Sequence, residues 1–238
     1  MTGHRTAPEV AESLVGLRRR IDAVDRPWDH EVEITAVTKA FAPTVIAAAA
    51  TAGCASIGEN YAQDLLSKQS SLEALDRRPR VDFIGHLQSN KVRRLVGLVD
   101  RWCTVDRASI AAEIAKRDPG AEVLIQVNST AEENKGGCAP AEVEALVERC
   151  VDRGLSVVGL LTIGPTDRPA AAAEPGFRAV RALVDEMALS VCSMGMTADL
   201  DVAVACGSTN VRVGSALFGP RPGTGSGPDV HHEGDAPG

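Results

Sequence analysis

Apolar residues along this chain recur with two different periods. Val10, Leu14, Leu17, Ile21 and Val24 follow one another at steps of four and three, which predicts an amphipathic helix over residues 8–24. Beyond it, short apolar runs alternate with Ala- and Leu-rich stretches at intervals of roughly 20 to 30 residues. The runs 32–38, 54–58, 81–85, 101–105, 122–127, 156–162, 190–194 and 210–214 are the expected strands. The stretches 43–52, 61–75, 90–99, 107–117, 139–153, 172–187 and 198–206 are the expected helices. Several of the runs are apolar throughout, as strands covered on both faces of a parallel sheet are. Eight strands interleaved with helices predict an α/β fold, a single (β/α)8 TIM-type barrel with an extra N-terminal helix and no second β-domain. An open doubly wound sheet competes with it, but no G-x-G-x-x-G or phosphate-binding loop follows the first run.

The stretch 222–238 is rich in Gly, Pro and Ser without periodicity, so a disordered tail is expected after a barrel spanning 1–221. Its His231–His232 pair reads as part of that solvated tail. Composition then narrows function by exclusion. With 238 residues and 44% hydrophobic content, the chain can bury a sizeable core. A formal charge of −7 argues against a nucleic-acid-binding face, which needs a basic stripe. No apolar run approaches the length of a membrane span. The opening "MTGHRTAPEVAESL" lacks the charged-then-apolar pattern of a signal peptide, so a cytoplasmic location is expected. Cys54, Cys103, Cys138, Cys150, Cys192 and Cys206 include no C-x-x-C pair and are expected to be reduced, with no metal site.

In a barrel of this kind, chemistry gathers at the carboxyl ends of the strands. Those ends carry Lys39; Glu59 with Asn60; His86; Asn128; Ile163; Ser193; and Arg212 with Gly214 and Ser215. Lys39 closes the apolar part of "EVEITAVTKAFAP", residues 31–43, where a cation is costly unless it is paired or used. Desolvation there favours the neutral amine, a nucleophile toward an aldehyde. The competing reading is a lysine that reaches solvent or pairs structurally with Glu59. After the eighth run, "VRVGSALFG" sets Gly214 and Ser215 at the start of a short helical turn, a place where such barrels bind phosphate. Ser193 offers a further hydroxyl after the seventh run, whereas "GST" at 207–209 precedes the eighth and falls on the opposite face. A lysine amine beside a phosphate cradle points to an aldehyde-bearing phosphorylated cofactor, for which pyridoxal 5′-phosphate is the candidate. Arg212 opposite its pyridine nitrogen would keep that nitrogen unprotonated; the alternative is a structural ion-pair residue.

The segments "AVTKAFAP", "IGENYAQD", "DFIGHLQSNK", "VLIQVNSTAEENKGG", "GLLTIGP", "CSMGMTAD" and "GSTNVRVGSALFGPR" resemble, in order, the signatures of the pyridoxal phosphate homeostasis proteins. The resemblance spans residues 34–221, and it rests most on "FIGHLQSNK" together with "GSTNVRVGSALFG". It implies a barrel similar to the N-terminal domain of alanine racemase, with the cofactor held as a Schiff base on Lys39. By motif position it implies phosphate contacts at Ser193, Gly214 and Ser215, and a ring-nitrogen contact at Arg212. Asn60 joins the implied cofactor-binding set, His86 lies in a signature segment near the mouth, and Ile163 is placed to pack on the ring. Departures from the pattern are Cys192 for a common Leu, Thr197 for Ser and Ala40 for Thr.

The resemblance implies a cofactor carrier acting in vitamin B6 and amino-acid homeostasis, passing pyridoxal phosphate to apo-enzymes, rather than an established catalyst. The alternative is a single-domain racemase or aldolase. Racemisation needs a base on each face of the ring. The one tyrosine, Tyr61, lies inside the "ENYAQ" signature rather than on a second domain, which favours the carrier. Charged and mixed helix faces lead to the expectation of a monomer.

Overall fold

In the computed structural model, residues 4–221 are described, so the expected tail at 222–238 lies outside them. The apolar runs form eight parallel strands: β1 (Glu33–Val37), β2 (Ser56–Glu59), β3 (Arg80–Phe83), β4 (Arg101–Val105), β5 (Glu122–Val127), β6 (Ser156–Thr162), β7 (Val191–Ser193) and β8 (Asn210–Val213). Each strand pairs with the next in sequence, and β8 pairs back onto β1, so the sheet closes as the expected barrel. Parallel neighbours need crossovers. These are α2 (Val45–Thr51), α3 (Ala62–Glu73), α4 (Ser89–Leu95), α5 (Ala108–Arg117), α6 (Val143–Val151), α7 (Glu174–Glu186) and α8 (Leu200–Ala205). Helix α1 (Ala7–Asp22) precedes the barrel and the short α9 (Ser215–Phe218) follows β8.

Local chemistry sets the boundaries. Helix α1 begins where the Thr6 N–H donates to Glu9 Oε2 at 2.7 Å, and its stripe of Val10, Leu14, Leu17 and Ile21 is buried. Strand β2 starts two residues later than the apolar run suggests, because the Cys54 N–H is taken by Ala49 O at the end of α2. The expected helix at 172–187 divides into a 3-10 turn, Ala170–Ala173, and α7, whose second residue is Pro175.

Two cores result. Between barrel and helices, Phe83, Trp102, Ile110, Ile114 and Phe177 are fully buried. Inside the barrel, the side made by β4 to β7 is apolar, with Cys103, Leu124 and Leu161 packed against Ile84, Ile163 and Val191. The side made by β8, β1, β2 and β3 is polar and hydrogen-bonded. At its base Asp82 accepts Arg80 Nε at 2.8 Å and Arg101 Nη2 at 2.7 Å. Burial would push the Glu33 carboxyl up, but hydrogen bonds from Arg80 and Ser56 hold it below the usual carboxylate range. Higher up, Asn210 Nδ2 donates to Thr35 Oγ1 at 2.9 Å, which links β8 to β1 across the closure.

All six cysteines are free and buried. Burial pushes the thiols of Cys54, Cys138 and Cys150 up to about 11, which leaves little thiolate near neutrality. Among the described residues, no helix is long and apolar enough to cross a membrane and no cluster of His, Cys, Asp and Glu is placed to hold a metal.

Asp82 is 1% exposed and holds two guanidinium groups, so its loss strands buried positive charge. Asp82→Ala is expected to lower the unfolding free energy by about 3–5 kcal/mol, read from the urea midpoint. A loss below about 1 kcal/mol would show that these charges are solvated rather than sealed.

Candidate functional site at the mouth of the barrel

Strand alternation decides what faces the lumen. Along β1, Glu33 and Thr35 make the lumen contacts with Ser56, Arg80 and Asn210, and Lys39 continues that odd-numbered phase at the carboxyl end. Thr38 still pairs, its N–H donating to Gly58 O at 3.0 Å, and Lys39 follows it, half-buried, in the turn beyond the carboxyl end of β1. On β8 the even phase is inward, with Asn210 and Arg212 in the lumen.

The β8–β1 register brings the two ends together. Ala36 pairs with Val213, so the next residue along each strand sets Gly214 beside Val37. A β-carbon on Gly214 would stand 3.1 Å from Val37 O and 3.4 Å from Val37 Cβ. A larger residue would push the β8 loop away from the Lys39 turn. A second contact ties the same two segments, since the rings of Phe41 and Phe218 meet edge-on at 5.5 Å. Lys39 and the Gly214–Ser215 turn therefore share one rim.

Arg212 forms the floor. It is 5% exposed, and burial pushes its guanidinium down to about 10. Its hydrogen-bond partners are neutral: Nη1 donates to Ser193 Oγ at 2.9 Å and Nη2 to Thr162 O at 2.8 Å. Ser193 Oγ in turn donates to Asn210 Oδ1 at 2.6 Å. The Ser193 hydroxyl is thus engaged by both Arg212 and Asn210 inside the lumen. On the loop after β7, Thr197 is the half-buried hydroxyl residue, while Asp199 caps that loop by accepting the Met196 N–H at 2.6 Å.

Asn60 lies at the end of β2, and its Oδ1 is buried without a hydrogen-bond partner. Such an acceptor is a standing cost that a bound donor would remove. Ile163 sits half-buried against the apolar side of the lumen. His86 is exposed, its Nδ1 4.0 Å from Asp106 Oδ2. Asn128 and Lys135 organise their own loop: Asn128 Nδ2 donates to Glu132 O and Lys135 O, and Lys135 Nζ reaches Glu132 and Gly164 O. Glu59 forms an ion pair at 2.7 Å with Lys68 of α3. Sequence reasoning passed over Lys68, although it shares the phase of Leu65 and Leu72 on the buried stripe of α3. A lysine on an apolar stripe was the available signal.

Residues 13–222 match the family model described as alanine racemase, N-terminal domain. A pyridoxal phosphate homeostasis protein of Aquifex aeolicus is 38% identical over 200 residues, covering 79% of this chain and 87% of that one. A protein of the same name from Pseudomonas aeruginosa is 34% identical over 222 residues, 90% of this chain and 95% of its own. Among solved structures, PipY of Synechococcus elongatus with PLP bound superposes with a TM-score of 0.76 at 29% identity, covering 88% of this chain and 100% of that one.

The floor geometry yields a direct check. Ser193→Ala leaves Asn210 Oδ1 and one Arg212 nitrogen, both buried, without this partner. The expected cost is about 1–3 kcal/mol in chemical denaturation. No measurable cost would mean that the hydroxyl is solvated and free to turn toward the rim.

Proposed function

This chain belongs to the pyridoxal phosphate homeostasis protein family, and on that premise we propose that it binds pyridoxal 5′-phosphate at the barrel mouth, anchored through Lys39 as a Schiff base, and hands it to apo-enzymes. The carrying observation is the convergence of Lys39 with the Gly214–Ser215 turn above a buried arginine whose partners are neutral. The residues present fit the group. Asn60 Oδ1 is an acceptor in need of a donor, and the absence of a side chain at Gly214 lets the turn lie against Val37, beside the Lys39 segment.

When bound, the cofactor supplies an aldehyde and a ring that can draw electrons from an attached amine. Lys39 supplies the amine. In its neutral form that amine is the nucleophile toward the aldehyde. Gly214 and Ser215 hold the phosphate. Arg212 presents donors only, so it hydrogen-bonds an unprotonated ring nitrogen and weakens the ring as an electron sink. Ser193, Asn210 and Thr162 fix that guanidinium in place. Ile163 and the apolar side of the lumen pack against the ring and exclude water. This set holds a cofactor more readily than it drives turnover, which favours a carrier over a racemase or aldolase.

The free, buried cysteines suit a reducing cytoplasm. Among the described residues, the large exposed apolar ones, Val15, Tyr61, Val151 and Met196, come from four separate elements and loops, as suits a monomer.

Purified protein incubated with pyridoxal 5′-phosphate should turn yellow, and borohydride should fix the label on Lys39. Lys39→Ala should abolish the fixed label; the same adduct at another lysine would contradict the assignment. Incubation of loaded protein with L-amino acids should give no change of chirality or mass beyond that produced by free cofactor, and faster turnover that depends on Lys39 would favour the enzyme reading.

A further inference from the structure

Outside the wall of β1 and β2, on the helix side, lies a buried ion pair that the mouth itself does not require. Lys68 of α3 is 0% exposed. Its ammonium lies 2.7 Å from Glu59 Oε1, 2.8 Å from Thr38 O and 3.5 Å from Asp64 Oδ2. Sealing a cation from water is unfavourable, and an apolar residue of similar volume often serves stability as well or better. The partners of this ammonium converge on a single turn. Thr38 precedes Lys39, and its hydroxyl donates to the same Glu59 oxygen at 2.6 Å. Ala40 follows Lys39, and its N–H donates to Asp64 Oδ2 at 2.7 Å. Ala40 has φ +62°, in the left-handed region that residues with a β-carbon occupy only when their surroundings hold them there. Glu59 Oε1 takes two donors while Oε2 is buried with none, an arrangement that favours fixed geometry over stability.

We infer that Lys68 is a positioning residue for the Lys39 amine: with Glu59 and Asp64 it clamps the peptide groups on both sides of Lys39 and so fixes where that side chain enters the mouth. The inference rests on the reading of Lys39 as the covalent anchor. An amine must approach a carbonyl along a narrow path, and a shift of about 1 Å in a reacting group can cost on the order of a hundredfold in rate. The Phe41–Phe218 contact holds the far end of the turn, and the Lys68 clamp holds the near end. Releasing the clamp leaves Lys39 attached to the barrel but free to swing.

The test uses the full chain and two ligands, pyridoxal 5′-phosphate and pyridoxine 5′-phosphate, whose alcohol cannot condense with an amine. Lys68→Met and Asp64→Ala are compared with the parent protein. Mass spectrometry follows the rate of borohydride trapping at Lys39, and calorimetric titration follows pyridoxine 5′-phosphate. Both variants are expected to trap more slowly, by about tenfold or more, while pyridoxine 5′-phosphate binds as in the parent. Trapping at the parent's rate in a folded variant overturns the clamp. So does an equal loss of trapping and of pyridoxine 5′-phosphate binding, which would mark a general collapse of the site. If circular dichroism shows Lys68→Met unfolded, Asp64→Ala, whose side chain is 28% exposed, decides by the same criteria. A parent protein labelled at a different lysine overturns the anchor reading, and the clamp with it, whatever the variants do.

Discussion

Closure of the sheet between β8 and β1 aligns Ala36 with Val213 and thereby sets Gly214 against Val37. The rim chemistry follows from that single register. One residue of slip would reverse which side chains of β8 face the lumen, turning Arg212 out and Val211 or Val213 in. It would also carry the Gly214–Ser215 turn away from Lys39. The polar hydrogen bond from Asn210 to Thr35 and the apolar contact of Phe41 with Phe218 secure the same register from below and from the rim. The site is therefore built from the strand ends that the barrel must join in order to close.

The charges buried around this seam divide by purpose. Asp82 with Arg80 and Arg101 plugs the amino-terminal end of the lumen, where the carboxylate takes a donor from each guanidinium while Arg101 Nε stays buried without a partner. Arg212 is held by a hydroxyl and a carbonyl, and burial pushes its guanidinium down, so it is a cation with capacity left for a ligand acceptor. Lys68 and Glu59 lie behind the wall and act on backbone geometry. Each cluster would be unfavourable as isolated charge and becomes tolerable through the groups converging on it.

The barrel was legible in the sequence because eight apolar runs, each separated by helical periodicity, leave few other ways to bury a sheet. The 101–105, 122–127 and 156–162 runs coincide with β4, β5 and β6. The other strand ends shifted by a residue or two, where turn hydrogen bonds such as that of Cys54 took backbone groups a strand would have used, while the helix expected at 90–99 stops at Leu95 and that at 139–153 starts as a 3-10 turn before α6. Strand-end position made Lys39, Asn60 and Gly214 readable as strand-end residues, and the phase of β8 made Arg212 readable as a lumen residue. The commitment of Ser193 was not readable, because its partners Asn210 and Arg212 come from another strand and depend on register. Lys68 was half readable: its place on the stripe of Leu65 and Leu72 was visible, but its contact with Thr38 depends on how α3 packs on β1.

The most direct measurement is a crystal structure of the full chain grown with pyridoxal 5′-phosphate. The account predicts continuous density from Lys39 Nζ to the cofactor, with the phosphate against Gly214 and Ser215 and the ring nitrogen facing Arg212. Density joined to another lysine, or a phosphate lying on the side of the mouth away from Gly214, would contradict it.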